Sequence, residues 1–192
     1  VEHVTDRAGS LSAVPDLVLG TASADQTRLV ARAMAPLCGP GDVLLVSGDL
    51  GAGKTTFAQG FGAGLGVVEA ITSPTFTLVR QYPVAPPSPG ADHCTHHPGV
   101  HVLVHADLYR LEHLHEVADL ALDEMVEDGG VALIEWGDGA APLLGAGSLL
   151  VRLAIDVDHD QHRAITLRPA DGSWAGRWTA LRAAVVPWLV AR

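Results

Sequence analysis

GDLGAGKTTF, Gly48 to Phe57, is the stretch whose reading decides the rest of the chain. Gly48-Asp49-Leu50-Gly51-Ala52-Gly53-Lys54-Thr55 satisfies the pattern G-x-x-x-x-G-K-[ST] in full. Glycines at these places let the backbone fold around phosphate oxygens with its N–H groups pointing inward, and a following helix adds the positive end of its dipole. Lys54 is placed to reach the β- and γ-phosphates of a nucleotide, and the Thr55 hydroxyl to ligate magnesium. A chance match somewhere in a chain of this length is on the order of 1% or less from average residue usage. Twelve side chains are lysine or arginine, and Lys54 is the only lysine among them.

The flanks agree with a loop between strand and helix. DVLLVSG before it is a continuous apolar run ending in glycine, which predicts a buried strand, and TTFAQGFGAGLG after Lys54 predicts a helix. Further upstream, DLVLGT predicts a short strand, followed by a helix cap at Ser23 or Asp25 and the apolar-periodic run ADQTRLVARAMAPLC, stopped by Gly39-Pro40-Gly41. Downstream strands are predicted at 75–82, 100–109, 131–136, 148–155 and 164–169, with a helix over 112–127 and a closing helix over 174–192 interrupted near Pro187. Strands alternating with helices imply an α/β, P-loop NTPase-like three-layer domain with a mostly parallel central sheet. The last two strands, separated by the polar VDHDQHR, predict an antiparallel hairpin at one edge.

Composition narrows the function classes. With 192 residues, 48% of them apolar, the chain suits one domain over 1–192, with residues 1–14 expected to be flexible. A formal charge of −10 argues against direct grip on nucleic acid, which needs clustered Lys and Arg, so any link to RNA is expected to run through a partner. Two cysteines, Cys38 and Cys94, are too few for a disulfide framework, and no leader-like segment or membrane-length apolar run is present. The expectation is a cytoplasmic protein with reduced thiols and no membrane association. PVAPPSPGADHCTHHPG, residues 83–99, predicts an exposed, mobile insertion. His93, Cys94, His96 and His97 within it lack the paired spacing of a zinc site.

Magnesium demands further oxygen ligands, and an acid at the carboxyl end of a neighbouring strand would supply one. Asp107 closes VHVLVHAD and Glu135 closes VALIE. In a doubly wound sheet both ends share the crevice where the loop after DVLLVS opens. Ser73-Pro74-Thr75-Phe76-Thr77 is either a segment whose hydroxyls touch the γ-phosphate or its metal, or an ordinary turn entering a strand. Trp136 fits core packing or a place near nucleotide or partner. Arg110 fits stabilisation of transition-state charge or a pair with Glu112.

GDLGAGKTTF, SPTFTLV, HADLYRL and IEW, in this order and at these spacings, resemble the TsaE family over approximately residues 20–170. The resemblance implies a magnesium-dependent ATPase that supports multiple turnovers of a complex synthesising threonylcarbamoyladenosine in tRNA. Its partners would be TsaB and TsaD, with tRNA contacted only through them. By motif, Gly51, Ala52, Gly53, Lys54, Thr55 and Thr56 would hold the phosphates of ATP, Thr55 and Glu135 the magnesium, and Asp107 the neighbourhood of metal and attacking water. Thr75 would belong to a switch segment, and Asp25, with Ser23 and Arg163, would contact the nucleotide. Where the family often has proline after the Glu-Trp pair, this chain has Gly137.

A small-metabolite kinase of the P-loop class is the competing enzyme reading, although the middle of the chain offers no clear arginine-bearing lid. A guanine reader of the N-K-x-D type is disfavoured because Lys54 is already committed to the loop.

Overall fold

A computed structural model describes residues 14–86, 99–111, 113–144 and 147–190. Among these residues seven strands form one sheet: β1 Leu17–Thr21, β2 Val43–Ser47, β3 Val79–Pro83, β4 Val102–Asp107, β5 Gly130–Glu135, β6 Leu149–Ile155 and β7 Arg163–Pro169, in the order β1-β7-β6-β2-β5-β4-β3. The centre is parallel, with β2 between β5 and β6 and β4 beside β5. Both margins are antiparallel: β6, β7 and β1 on one side, β3 against β4 on the other. The hairpin expected at 148–155 and 164–169 is present, although β1 covers its outer edge.

Helices α1 Ala24–Met34 and α2 Lys54–Leu65 cover one face. Ser23, not Asp25, caps α1: its hydroxyl accepts from the Gln26 N–H, and Gln26 Oε1 accepts from the Ala22 N–H. The glycines of TTFAQGFGAGLG set how closely α1 and α2 approach. A Cβ on Gly60 would lie 2.2 Å from the Arg28 carbonyl oxygen, and one on Gly64 would lie 2.6 Å from that of Arg32. Phe57 and Phe61 on α2 are fully buried against the sheet, each contributing about 1.5–3 kcal/mol by leaving water.

Two short helices, α3 Leu114–Ala118 and α4 Leu122–Glu127, occupy the other face with the 3-10 turn Gly137–Ala140. The single helix expected over 112–127 is therefore divided. Ala121 takes φ 48°, a left-handed conformation that no α-helix tolerates, and the turn sends Leu122 and Val126 into a second core with Leu45, Val104, Ala106 and Ile134. The short helix α5 Ala141–Leu144 follows. The closing segment is likewise broken into a 3-10 stretch Gly172–Arg177, α6 Trp178–Ala184 and a further turn Val186–Trp188 holding Pro187. Arg177 pins it to the start of β2 through both oxygens of Asp42 and through the Leu37 carbonyl at 3.0 Å.

Two more expectations need correction. The strand expected over 75–82 starts only at Val79, because Thr77 and Leu78 donate to the Pro74 carbonyl and Leu78 sits at φ 63°. The segment expected to be an insertion from Pro83 does not begin there. Pro83 closes β3, and Val84 is buried, its N–H donating to the His101 carbonyl at 2.9 Å. Residues 87–98, with His93, Cys94, His96 and His97, lie outside the described residues, as do residues 1–13; Val14 packs against the core. Among the described residues no helix is long and apolar enough to cross a membrane.

Candidate functional site

The site is built where β2 ends and α2 begins. Gly48, Gly51 and Gly53 all have positive φ, at 141°, 80° and 99°, so the loop turns on the residues that adopt such angles without penalty. The first α-helical bond of α2 runs from the Phe57 N–H to the Gly53 carbonyl at 2.8 Å. The amides of Lys54, Thr55 and Thr56 precede it and have no helical acceptor, which makes the helix start an anion-accepting surface.

Period-two alternation decides which strand residues face this surface. Leu103, His105 and Asp107 on β4, with Val131, Leu133 and Glu135 on β5, point toward α2, while Val104, Ala106, Ala132 and Ile134 point to the opposite core. Asp107 and Glu135 are register partners at the carboxyl ends of adjacent parallel strands, and both are buried. Thr55 Oγ1 donates to Glu135 Oε2 at 3.1 Å, so the hydroxyl of the loop and the acid of β5 stand together. Asp107 Oδ2 accepts from Ser73 Oγ at 2.7 Å and from Thr75 Oγ1, while Oδ1 accepts from the Tyr109 N–H at 3.1 Å. Residues 73–77 are thus an anchored turn at the site, with Phe76 left 86% exposed and the Arg110 guanidinium 4.5 Å from its ring centroid.

Lys54 Nζ donates to the carbonyls of Gly48 and Asp49 at 2.7 and 2.9 Å and lies 3.6 Å from the centroid of the Trp136 ring. Trp136 takes φ 60° and packs against Tyr109 at a tilt of 46°, with ring centroids 4.9 Å apart. Burial pushes the Lys54 amine below its ordinary range; the carboxylates of Glu135, Asp107, Asp138 and Asp49 oppose this without overcoming it.

Arg163, at the start of β7, braces the loop from outside. Its Nε donates to the Ala52 carbonyl at 2.9 Å and one terminal nitrogen to that of Gly51 at 3.1 Å; the other reaches the carbonyls of Asp160 and His162. Thr21 is the register partner of Arg163, which brings the start of α1 alongside. Asp25 itself is exposed and pairs with Arg28 at 2.8 Å. The structure therefore gathers Gly51 to Thr56, Asp107, Glu135, Thr75 and Arg163 into one neighbourhood and leaves Asp25 at its margin.

One residue of this neighbourhood was not singled out from sequence. His105 is fully buried, its Nε2 lies 3.0 Å from Glu135 Oε1, and its Nδ1 has no hydrogen-bond partner among the described residues. Its signal was spacing: two positions before Asp107 on a strand, it must share that acid's face.

The comparisons with known proteins follow this geometry. The chain matches the family model described as "Threonylcarbamoyl adenosine biosynthesis protein TsaE" over residues 21–165. A relative from Streptomyces coelicolor, named tRNA threonylcarbamoyladenosine biosynthesis protein TsaE, is 38% identical over 151 residues, covering 77% of this chain and 93% of the relative. One of the same name from Bacillus subtilis is 42% identical over 116 residues, covering 60% of this chain and 63% of the relative. The crystal structure of Bacillus subtilis YdiB superposes with a TM-score of 0.65 at 30% identity, covering 91% of this chain and 96% of the other. The shared fold and the match spanning the loop, the turn at 73–77 and both acids have one consequence: the chain belongs to the TsaE family.

Proposed function

We infer that this protein binds ATP with magnesium and hydrolyses it in support of threonylcarbamoyladenosine synthesis in tRNA. The observation that carries this reading is the meeting of Thr55 Oγ1 and Glu135 Oε2 at 3.1 Å beside the first-turn amides of α2, which have no α-helical acceptor. Hydroxyl and carboxylate are the hard oxygen donors that magnesium takes, and phosphate oxygens and waters complete such a shell. Bound there, magnesium would neutralise charge on the β- and γ-phosphates.

The chain's own groups supply the rest. Lys54 exchanges its two carbonyl acceptors for phosphate oxygens, moving its charge from the loop backbone to the nucleotide. The amides of Lys54, Thr55 and Thr56 donate to the phosphate oxygens at the helix start. Asp107, buried and already accepting from Ser73, Thr75 and the Tyr109 amide, orients water next to the metal and ties the switch turn to it. Arg163 keeps the loop in its phosphate-ready form. With a charge of −10, the surface does not favour tRNA, so RNA is reached through partners, TsaB and TsaD by family resemblance, in the cytoplasm. Those partners complete a site that is slow alone by bringing the turn at 73–77, or the loop after Trp136, against the γ-phosphate.

Steady-state phosphate release with ATP and magnesium, with and without the two partners, tests this. Slow hydrolysis alone, acceleration by partners and loss of both in Lys54→Ala are expected. Equal hydrolysis by the parent and Lys54→Ala chains, or indifference to the partners, refutes it.

A further inference from the structure

We propose that His105 is a positioning residue that sets the orientation of the Glu135 carboxylate and thereby the affinity of the site for its divalent cation. The inference rests on the ATPase reading above, which makes Glu135 a metal ligand.

The two oxygens of Glu135 have different partners. Oε2 accepts from the Thr55 hydroxyl at the loop, and Oε1 lies 3.0 Å from His105 Nε2. His105 has little freedom to do otherwise: it is fully buried on β4, between β5 and the edge strand β3, and Tyr82 of β3 lies beside it with ring centroids 6.4 Å apart. A carboxylate oxygen only accepts, so the contact at 3.0 Å is a donation from Nε2–H to Oε1, and Nδ1 has no hydrogen-bond partner among the described residues. A glutamate has three side-chain torsions, and a single contact at Thr55 would leave its carboxylate free to turn. With Oε1 held from β4, Oε2 stays directed at Thr55, the second oxygen donor of the cation. A buried imidazole with one unpartnered nitrogen is costly packing for an apolar strand, and fixing a ligand is the return for that cost.

Three variants separate this role from simple packing. His105→Gln presents an amide N–H at nearly the reach of Nε2; His105→Asn presents one that falls short; His105→Leu presents none. Each is measured in the full chain for thermal unfolding, for ADP binding without metal, and for Mn2+ binding with ADP by loss of the free-ion paramagnetic resonance signal. Metal-free ADP binding should be unchanged in all three. Mn2+ affinity should fall about tenfold in His105→Asn and His105→Leu and stay within about threefold of the parent in His105→Gln, the range seen when groups that orient metal ligands are lost. Hydrolysis should follow, with the half-saturating magnesium concentration raised and the rate at saturating magnesium restored. Parent-like Mn2+ affinity in the Asn variant, or equal loss in Gln and Asn, overturns the proposal, and this comparison holds even if the Leu variant does not fold. A parent chain that binds no Mn2+ with ADP overturns the ATPase reading as well, whereas a parent that binds it while the variants are indifferent overturns this proposal alone.

Discussion

Replacing Arg163 by alanine tests whether the phosphate loop is held from outside. Two of the guanidinium's hydrogen bonds go to loop carbonyls, those of Ala52 at 2.9 Å and Gly51 at 3.1 Å. A bond from a charged donor contributes about 1.5–3 kcal/mol when well buried. Arg163 is only half-buried and the freed carbonyls regain water, so about 1 kcal/mol per bond, or about 2 kcal/mol for the pair, is the reasonable magnitude. For a chain of this size that lowers the melting temperature by about 4–8 °C. Part of the same energy reappears in ligand binding, because apparent affinity scales with the fraction of the loop already ordered and falls as that fraction falls. A loss of about 1–2 kcal/mol corresponds to ADP binding about 5- to 30-fold weaker. Arg163→Lys, reaching one carbonyl instead of two, should fall between. Titration of a fluorescent ADP analogue, paired with thermal unfolding, is the assay. Parent affinity in Arg163→Ala together with a lowered melting temperature would show that the brace stabilises the hairpin alone, and the reasoning about the loop would be wrong.

Gly60→Val should unfold the protein or destabilise it by at least about 3 kcal/mol, because its Cβ would meet the Arg28 backbone, which cannot yield as a flexible side chain would; urea denaturation measures it. Cys38 is fully buried, and burial with the nearby Asp42 carboxylate pushes its thiol far up despite the opposing Arg177, so iodoacetamide should leave it unmodified in native protein and label it in urea, as read by peptide mass mapping. Burial holds the Lys54 amine below its ordinary 10.5, so its charge penalises the folded state most at pH values below its folded pKa, and the penalty lifts as pH rises through that pKa. Any stability advantage of Lys54→Met over the parent should therefore shrink as pH rises from that folded pKa toward 10.5 in urea titrations.

What was legible in the sequence divides by physical cause. The loop announces itself because its backbone demands glycine, and Asp107 and Glu135 follow because polar residues ending apolar strands have few places to go but the ligand crevice. Residues 75–78 misread as strand because Thr75, Phe76 and Thr77 have the composition of one; the Thr77 hydroxyl instead turns back to the Pro74 carbonyl, and that of Thr75 is taken by Asp107, 32 positions away. The break at Ala121 has no glycine or proline to mark it. His105 stayed hidden because a lone histidine in an apolar strand reads as core until its neighbour on the next strand is known. Arg163 was expected by resemblance to contact the nucleotide, and its bonds to the Gly51 and Ala52 carbonyls, 112 and 111 positions away, could not be read from the sequence.

The solitary lysine has a consequence outside catalysis. An endoprotease specific for lysine finds one bond in the whole molecule, between Lys54 and Thr55, and that bond lies in the first turn of α2 with the lysine side chain under an indole. Cleavage requires the segment to leave its place, so each cut counts one local opening, with no competing sites to correct for. The protein carries a built-in clock on its most important loop, and whatever settles into that loop should slow the clock.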